Sequence, residues 1–329
     1  MVRDGAYPVF DANGIIGRYD KFNHEEPQLL ITCRGATCGS VNISEPKSWV
    51  TGNAMVVRPK TSTIDLRFLE YFFRGGLDIS KAITGSAQPQ ITRTNLAPLE
   101  ITYPLSVQEQ QRIVGILDQA FDGIAIARAN AANNLQKARA LFESHLQSVF
   151  TQLSEGWESK QFEYCIDKVK YTTKIQRKEF LEKGEYPIIS QEADFTNGYW
   201  DIAADVFKVT TPVVIFGDHT KVLKFVDFDF VLGADGVKIL SPKQFLDPKF
   251  FFYSLQSVPL QSLGYSRHYR LLKELHISYP SKGMQVEVAG KLDALSEETQ
   301  RLESIYRRKL AALDALKQSL LHQAFNGQL

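Results

Sequence analysis

Along the first hundred positions, apolar residues fall in short runs broken by turn-forming residues. Pro27–Thr32 and Asn53–Val57 read as strands, with Asn13-Gly14 and Gly75-Gly76 as punctuation between elements. Leu66, Leu69, Phe72 and Phe73 recur at the three-and-four spacing of one helix face, which predicts a short helix within Asp65–Arg74. Residues 154–280 repeat this grammar. Val213–Phe216 and Val237–Leu240 read as strands, and Pro248–Leu255 reads as the counterpart of the Leu66–Phe73 helix. After Pro104 the pattern changes. Ile113, Leu117, Ala120, Ile124, Ala127, Ala131, Leu135, Ala138, Phe142 and Val149 trace one narrow apolar seam behind a capping box at Ser106-Val107-Gln108-Glu109. Val288, Leu292, Leu295, Leu302, Tyr306, Leu313, Leu316 and Leu320 trace a second. At ~1.5 Å per residue, roughly 45 residues extend ~65–70 Å. Helices of that length with such seams pack on each other as a coiled coil, and a globular segment between them makes the pair antiparallel.

The chain is also internally duplicated. Gly115-Ile116-Leu117-Asp118 returns as Gly290-Lys291-Leu292-Asp293, an offset of 175, and Leu146–Phe150 returns at that offset as Leu321–Phe325. Looser matches link Tyr103-Pro104 to Tyr279-Pro280, Gly52 to Gly233, Asp65 to Asp247, and Tyr7-Pro8 to Tyr186-Pro187. The repeat is too long for a solenoid unit and reads as two domains. The expected architecture is therefore a mixed α/β (α+β) fold. Two similar domains, 1–104 and 154–280, are separated by two long helices, 105–153 and 281–329. The second copy has the stretch Leu153–Glu185 before its Tyr-Pro, where the first has six residues; the first domain is expected to be shortened at its front, by truncation or because another polypeptide completes it.

Composition narrows the function classes. The chain has 329 residues, 44% hydrophobic and 23% charged, with no apolar run of ~18 residues and no basic-then-apolar leader. The expectation is a cytoplasmic protein without membrane attachment. Cys33, Cys38 and Cys165 cannot pair evenly, and no Cys/His partner pair follows them, so reduced thiols are expected rather than a zinc site. Net charge is +1, distributed as +1, 0, −1 and +1 over the four segments, so there is no basic pole and any nucleic-acid contact must come from local placement. Phosphate loops, nucleophile elbows and His-Glu-x-x-His pairs are missing from the sequence, which reads as a non-enzyme with no cofactor or metal of its own.

Two corresponding loops carry the chemistry that reads base edges and phosphates. The first holds Ser86, Gln88, Gln90, Thr92 and Arg93; the second holds Tyr265, Ser266, Arg267, His268, Tyr269 and Arg270. Arg18, Tyr19 and Lys21 with counterpart Tyr199, and Arg34 and Thr37 with counterparts His219 and Lys221, form a second tier beside glycines. Ordinary hairpin chemistry explains that second tier equally well. His145 and His322, at similar positions on the helices, are expected to pack.

Three passages together give the chain a family likeness: Tyr7–Asp20, Thr84–Ile91, and the helix opening Gln108-Glu109-Gln110-Gln111-Arg112-Ile113-Val114. With the closing Leu-x-x-x-Phe of each helix, the sequence resembles the DNA-specificity subunit of type I restriction-modification systems over nearly its whole length. The resemblance implies a noncatalytic subunit with two target-recognition domains, each reading one half of a split sequence in double-stranded DNA. It also implies that the helices bind methyltransferase (modification) subunits, with an endonuclease/translocase subunit joining through the complex. S-adenosylmethionine and ATP would belong to those partners. Two other readings stay open: a coiled-coil scaffold whose globular ends bind proteins, favoured by the neutral charge, and a silent or defective specificity cassette.

Overall fold

The computed structural model describes residues 5–329 apart from 12, 152–155, 235, 262, 263 and 265. The chain divides into two units, Met1–Asn133 with Tyr306–Leu329, and Asn134–Ile305.

In the first unit, β1 (Tyr7–Asp11) and β2 (Gly14–Tyr19) form an antiparallel hairpin. Gly14 turns it at φ 119°, a conformation that a side chain would strain. The strand β3 (Leu29–Thr32) is buried along its whole length, as befits the middle of a sheet flanked by β4 (Val41–Ile43) and, further on, by Ala54–Val57. Next in order come β5 (Trp49–Val50), parallel to β1, and β6, the Ala54–Val57 strand. Asp65 caps the helix α1 (Leu66–Tyr71) by accepting from the N–H groups of Arg67 and Phe68, and the helix widens into a π-turn over Phe72–Gly76. After it follow the small ribbon β7 (Ile83–Thr84) and β8 (Gln90–Ile91) and the single turn α2 (Arg93–Leu96).

The long helix α3 (Val107–Thr151) then begins, its last turns lying in the second unit. In the first unit it runs antiparallel to the closing helix, Lys282–Phe325: Arg112 donates to the Leu329 carbonyl at 2.8 Å, whereas Arg128 lies 3.0 Å from Asp314. Ile113 and Leu117 pack there with Phe68, Phe72, Leu321 and Ala324. The Gly75-Gly76 pair does more than end a helix. A Cβ on Gly75 would lie 2.6 Å from Leu321 Cβ, and one on Gly76 2.6 Å from Phe325 Cγ, so the absent side chains allow the close approach.

In the second unit, β9 (Glu158–Gln161) pairs with the last strand, His276–Tyr279. Two sheets follow. One contains β10 (Ile166–Asp167), the other β11 (Lys174–Ile175), the hairpin of β12 (Tyr186–Ile189) with β13 (Gly198–Trp200), and β14 (Val206–Phe207). The buried β15 (Val213–Gly217) pairs antiparallel with β16 (Leu223–Val226), β17 (Phe230–Gly233) lies parallel to β12, and β18 (Val237–Pro242) covers the other side of β15. The helix α4 (Pro248–Gln256) repeats α1, with Asp247 capping the N–H groups of Lys249 and Phe250. The short α5 (Tyr269–Lys273) leads to β19, the His276–Tyr279 strand, and then to α6, the closing helix. Phe162, Phe216, Phe250 and Phe251 fill the main core. In this unit the helix pair is again antiparallel, Leu146 meeting Leu292 beside Tyr253, and Arg139 holding Glu303 with two hydrogen bonds of 2.9 and 3.0 Å.

The mixed fold and the long-helix coiled coil agree with the sequence reading; three details differ. Leu316 is exposed, because the seam passes instead through Lys317, whose ammonium lies 5.1 Å above the Phe121 ring, to the buried Leu321. Both His145 and His322 are exposed rather than packed. The capping box is half formed: Ser106 Oγ accepts the Glu109 N–H at 3.4 Å, but the Glu109 carboxylate turns to Arg112, bound by two hydrogen bonds of 2.8 Å. No helix among the described residues is long and apolar enough to cross a membrane.

Candidate nucleic-acid interface

In the first unit the β3–β4 turn is built for close backbone packing. Gly35 and Gly39 sit at φ 88° and 89°, and the turn closes with Thr32 N–H to Ser40 O and Gly39 N–H to Thr32 O, both 2.9 Å. The loop before α2 docks directly on it. Gly35 N–H donates to Pro89 O at 3.0 Å, Ile91 N–H donates to Cys33 O at 2.9 Å, and Arg34 bridges Gln90. Arg34 and Thr37 are thereby brought beside Ser86, Gln88, Gln90, Thr92 and Arg93, all of them exposed. Thr92 is partly committed, since its hydroxyl caps α2 by accepting the Asn95 N–H at 3.2 Å.

Arg18, Tyr19 and Lys21 are placed elsewhere. Asp11, at the far end of the β1–β2 hairpin, accepts from Asn53 Nδ2 at 3.1 Å, and the Asn53 carbonyl accepts from Cys33 N–H. That end of the hairpin therefore adjoins the turn. Arg18 stands opposite Pro8, three residues back along β1 or about 10 Å. Its guanidinium donates to the carbonyls of Gly5 and Ala6 at 2.7 and 2.6 Å, and the Tyr19 ring meets Trp49 edge-on. Both act as hairpin clamps, while Lys21 is exposed.

The second unit repeats the arrangement with different chemistry. The Asp218–Val222 turn closes through Gly217 N–H to Val222 O and Lys221 N–H to Gly217 O, both 2.8 Å, with Lys221 at φ 61°. The buried Asp218 then gathers the neighbouring loop. Its carbonyl accepts the His268 N–H at 2.7 Å and lies 2.9 Å from His268 Nδ1; its carboxylate accepts the Tyr269 N–H at 2.7 Å. Here the sequence reading is corrected for two residues. His268 is 1% exposed, and Tyr269 packs against Phe162 and Phe216, where burial pushes its phenol up; both hold the loop from beneath rather than facing solvent. Ser266, Arg267 and Arg270 are exposed, and Tyr265 lies outside the described residues. His219 is half-buried with its N–H on Gln191 Oε1 at 3.1 Å, and Lys221 Nζ donates to Leu260 O at 3.3 Å. Tyr199 sits opposite Pro187 in β13, back from the turn as Arg18 is.

Asp218 and Gln191 hold these loops together, which residue type did not reveal. Gln191 also accepts the Thr220 hydroxyl on its carbonyl at 2.6 Å. The signal for Asp218 was its place next to His219 in a turn. For Gln191 no sequence signal exists, because its partners lie 28 and 29 residues away. Cys33 and Cys38 are half-buried free thiols, Cys165 is a buried one, and no cluster of metal-ligating residues occurs among the described residues.

Each unit thus holds two short loops locked together by hydrogen bonds and a stretch of the antiparallel helix pair. Residues 3–137 match the family model of the type I restriction modification DNA specificity domain. Among solved structures, the chain is similar to one described under the structural basis of complex assembly and conformational transition of the type I R-M system. They share 18% identity and a TM-score of 0.77 over 93% of this chain and 83% of that one. It is also similar to the HsdS subunit from Thermoanaerobacter tengcongensis, with 18% identity and a TM-score of 0.57 over 94% of this chain and 82% of that one. At such identities the likeness establishes the fold. No curated protein sequence matches the chain.

Proposed function

We propose that the chain is the noncatalytic sequence-reading subunit of a type I restriction-modification complex. Each unit reads one part of a bipartite double-stranded DNA target, through domains 1–104 and 154–280, and the long helices receive methyltransferase subunits. The endonuclease/translocase subunit joins through the assembled complex, and methyl donor and nucleotide belong to those partners. One observation carries the reading of the surface: in both units, two loops distant in sequence are hydrogen-bonded side by side, and they expose guanidinium, amide and hydroxyl groups together. Arg34, Gln88, Gln90 and Arg93 supply them in the first unit; Ser266, Arg267 and Arg270 supply them in the second. Arginine on guanine and amides on adenine are the side chains that distinguish base pairs in the major groove. The difference between the two sets supports different half-sites for the two units.

The test is selection of bound duplexes from a random pool by the chain assembled with its modification subunits. A two-part consensus is expected, and Arg267→Ala with Arg270→Ala should relax one part only. Recovery of unselected DNA by the unaltered complex would refute the reading.

A further inference from the structure

The two units differ at one place in their corresponding hairpins. In the first unit β1 and β2 are joined by positions 12 and 13; in the second, β12 and β13 are joined by Ser190–Asn197. The longer connection is a rigid structure. Asn197 Oδ1 accepts the Ser190 N–H at 2.8 Å, and its amide donates to Asp194 O at 2.9 Å. Beneath it lies Lys224, 4% exposed, whose ammonium donates to the carbonyl of Asp194, to that of Phe195 at 3.2 Å and to Asn197 Oδ1 at 3.0 Å. Asn42 occupies the corresponding strand position in the first unit, opposite Leu30 as Lys224 is opposite Ile215. A buried ammonium costs several kcal/mol of desolvation, so the second unit carries a costly support beneath this one loop.

That support presents an aromatic side chain to solvent. Phe195 is 47% exposed and leans on Phe228, itself 36% exposed, with ring centroids 6.1 Å apart. At its start the loop is continuous with the candidate interface, because Gln191 holds both His219 and Thr220. Glu192 pairs with Arg177 at 2.9 Å, and the carbonyl of Asp194 is held by Lys224.

We propose that the Gln191–Asn197 loop is a base-reading element peculiar to the second unit, with Phe195 contacting a thymine methyl in the major groove and Lys224 as the residue that positions it. This rests on the reading of the chain as a DNA-recognition subunit. Apolar contact with the C5 methyl is the one feature of a T·A pair that an aromatic ring can recognise, and a rigid loop loses little conformational freedom on engaging it.

The experiment uses the full chain in complex with its modification subunits. Duplexes are selected from a random pool by the unaltered complex and by Phe195→Ala, whose unchanged thermal midpoint is checked first. The variant should lose preference for thymine at one position of one half-site, by roughly tenfold, while the other half-site is unchanged. Replacing that thymine by uracil should weaken the unaltered complex by a similar factor and leave Phe195→Ala indifferent. An unchanged consensus, or no response to uracil, overturns the proposal. So does loss of complex assembly with sequence selection intact, which would assign the patch to a protein partner. If the unaltered complex selects no sequence at all, it is the recognition reading that fails.

Discussion

The side-chain oxygen of Gln110 accepts the backbone N–H of Asp65 at 2.7 Å, and Gln285 accepts that of Asp247 at 2.7 Å. Each glutamine also donates twice: Gln110 to Thr63 O and Pro104 O at 2.8 and 2.7 Å, Gln285 to Phe245 O and Pro280 O at 3.0 and 2.9 Å. Both are buried, and each satisfies three main-chain groups where a globular domain meets its long helix.

Removing either amide strands buried donors and acceptors. Gln110→Ala and Gln285→Ala should each cost about 2–4 kcal/mol, read as a shift in denaturant midpoint. Glutamate should not rescue, since a carboxylate cannot donate to the two carbonyls. Midpoints unmoved by alanine would show that the lock carries no stability.

A second duplicated contact lies two turns further along the long helices. Tyr71 donates to Asp118, which also holds Arg67; Tyr253 donates to Asp293 at 2.6 Å, which also holds Lys249. Burial, then the hydrogen bond to Asp118, pushes the Tyr71 phenol up to about 12. An unfolded tyrosine ionises near pH 10. Between those values the unfolded chain has released a proton that the folded chain retains, so this contribution is complete below pH 10 and declines as pH rises toward 12. Tyr71→Phe should flatten that part of the decline in thermal midpoint between pH 9 and 11.5. Parallel curves for the two proteins would contradict the assignment.

Lys224 has the opposite sign. Burial lowers its ammonium to about 8, although Glu192 and Asp194 oppose the shift. From pH 8 to about 10.5 the unfolded chain holds a proton that the folded chain has released, so stability rises with pH across that window. Comparing wild type with Lys224→Met by calorimetry should isolate the rise, which the variant lacks. An identical pH slope in both would mean that the lysine is solvated.

At the candidate interface, a residue proposed to touch phosphate can be told apart from one that holds a loop. Arg267→Ala should weaken duplex binding and reduce the salt slope by about 0.9 for each phosphate that the guanidinium neutralises. Asp218→Ala strands the Tyr269 N–H and should cost about 1–3 kcal/mol of stability, weakening binding with the salt slope preserved. Titrations at several salt concentrations distinguish them; equal slopes for Arg267→Ala and wild type would mean that Arg267 touches no phosphate.

The helices were legible because their periodicity is local. The repeat exposed the duplicated architecture before any pairing was known. What could not be read depends on partners far along the chain. His268 has the composition of a surface reader, yet Asp218, 50 residues away, draws it inward. Gln110 stands in a polar Gln-Glu-Gln-Gln run and looks solvated, but it faces carbonyls at Thr63 and Pro104. Leu316 fits the seam by spacing, and only the aromatic ring of Phe121 explains why Lys317 passes through it instead.

The glutamine lock has an evolutionary implication. On the domain side it grips only peptide groups, which every amino acid except proline presents in full. A domain seated in such a socket can change its side chains at Thr63 and Phe245 while the helix that carries it stays the same.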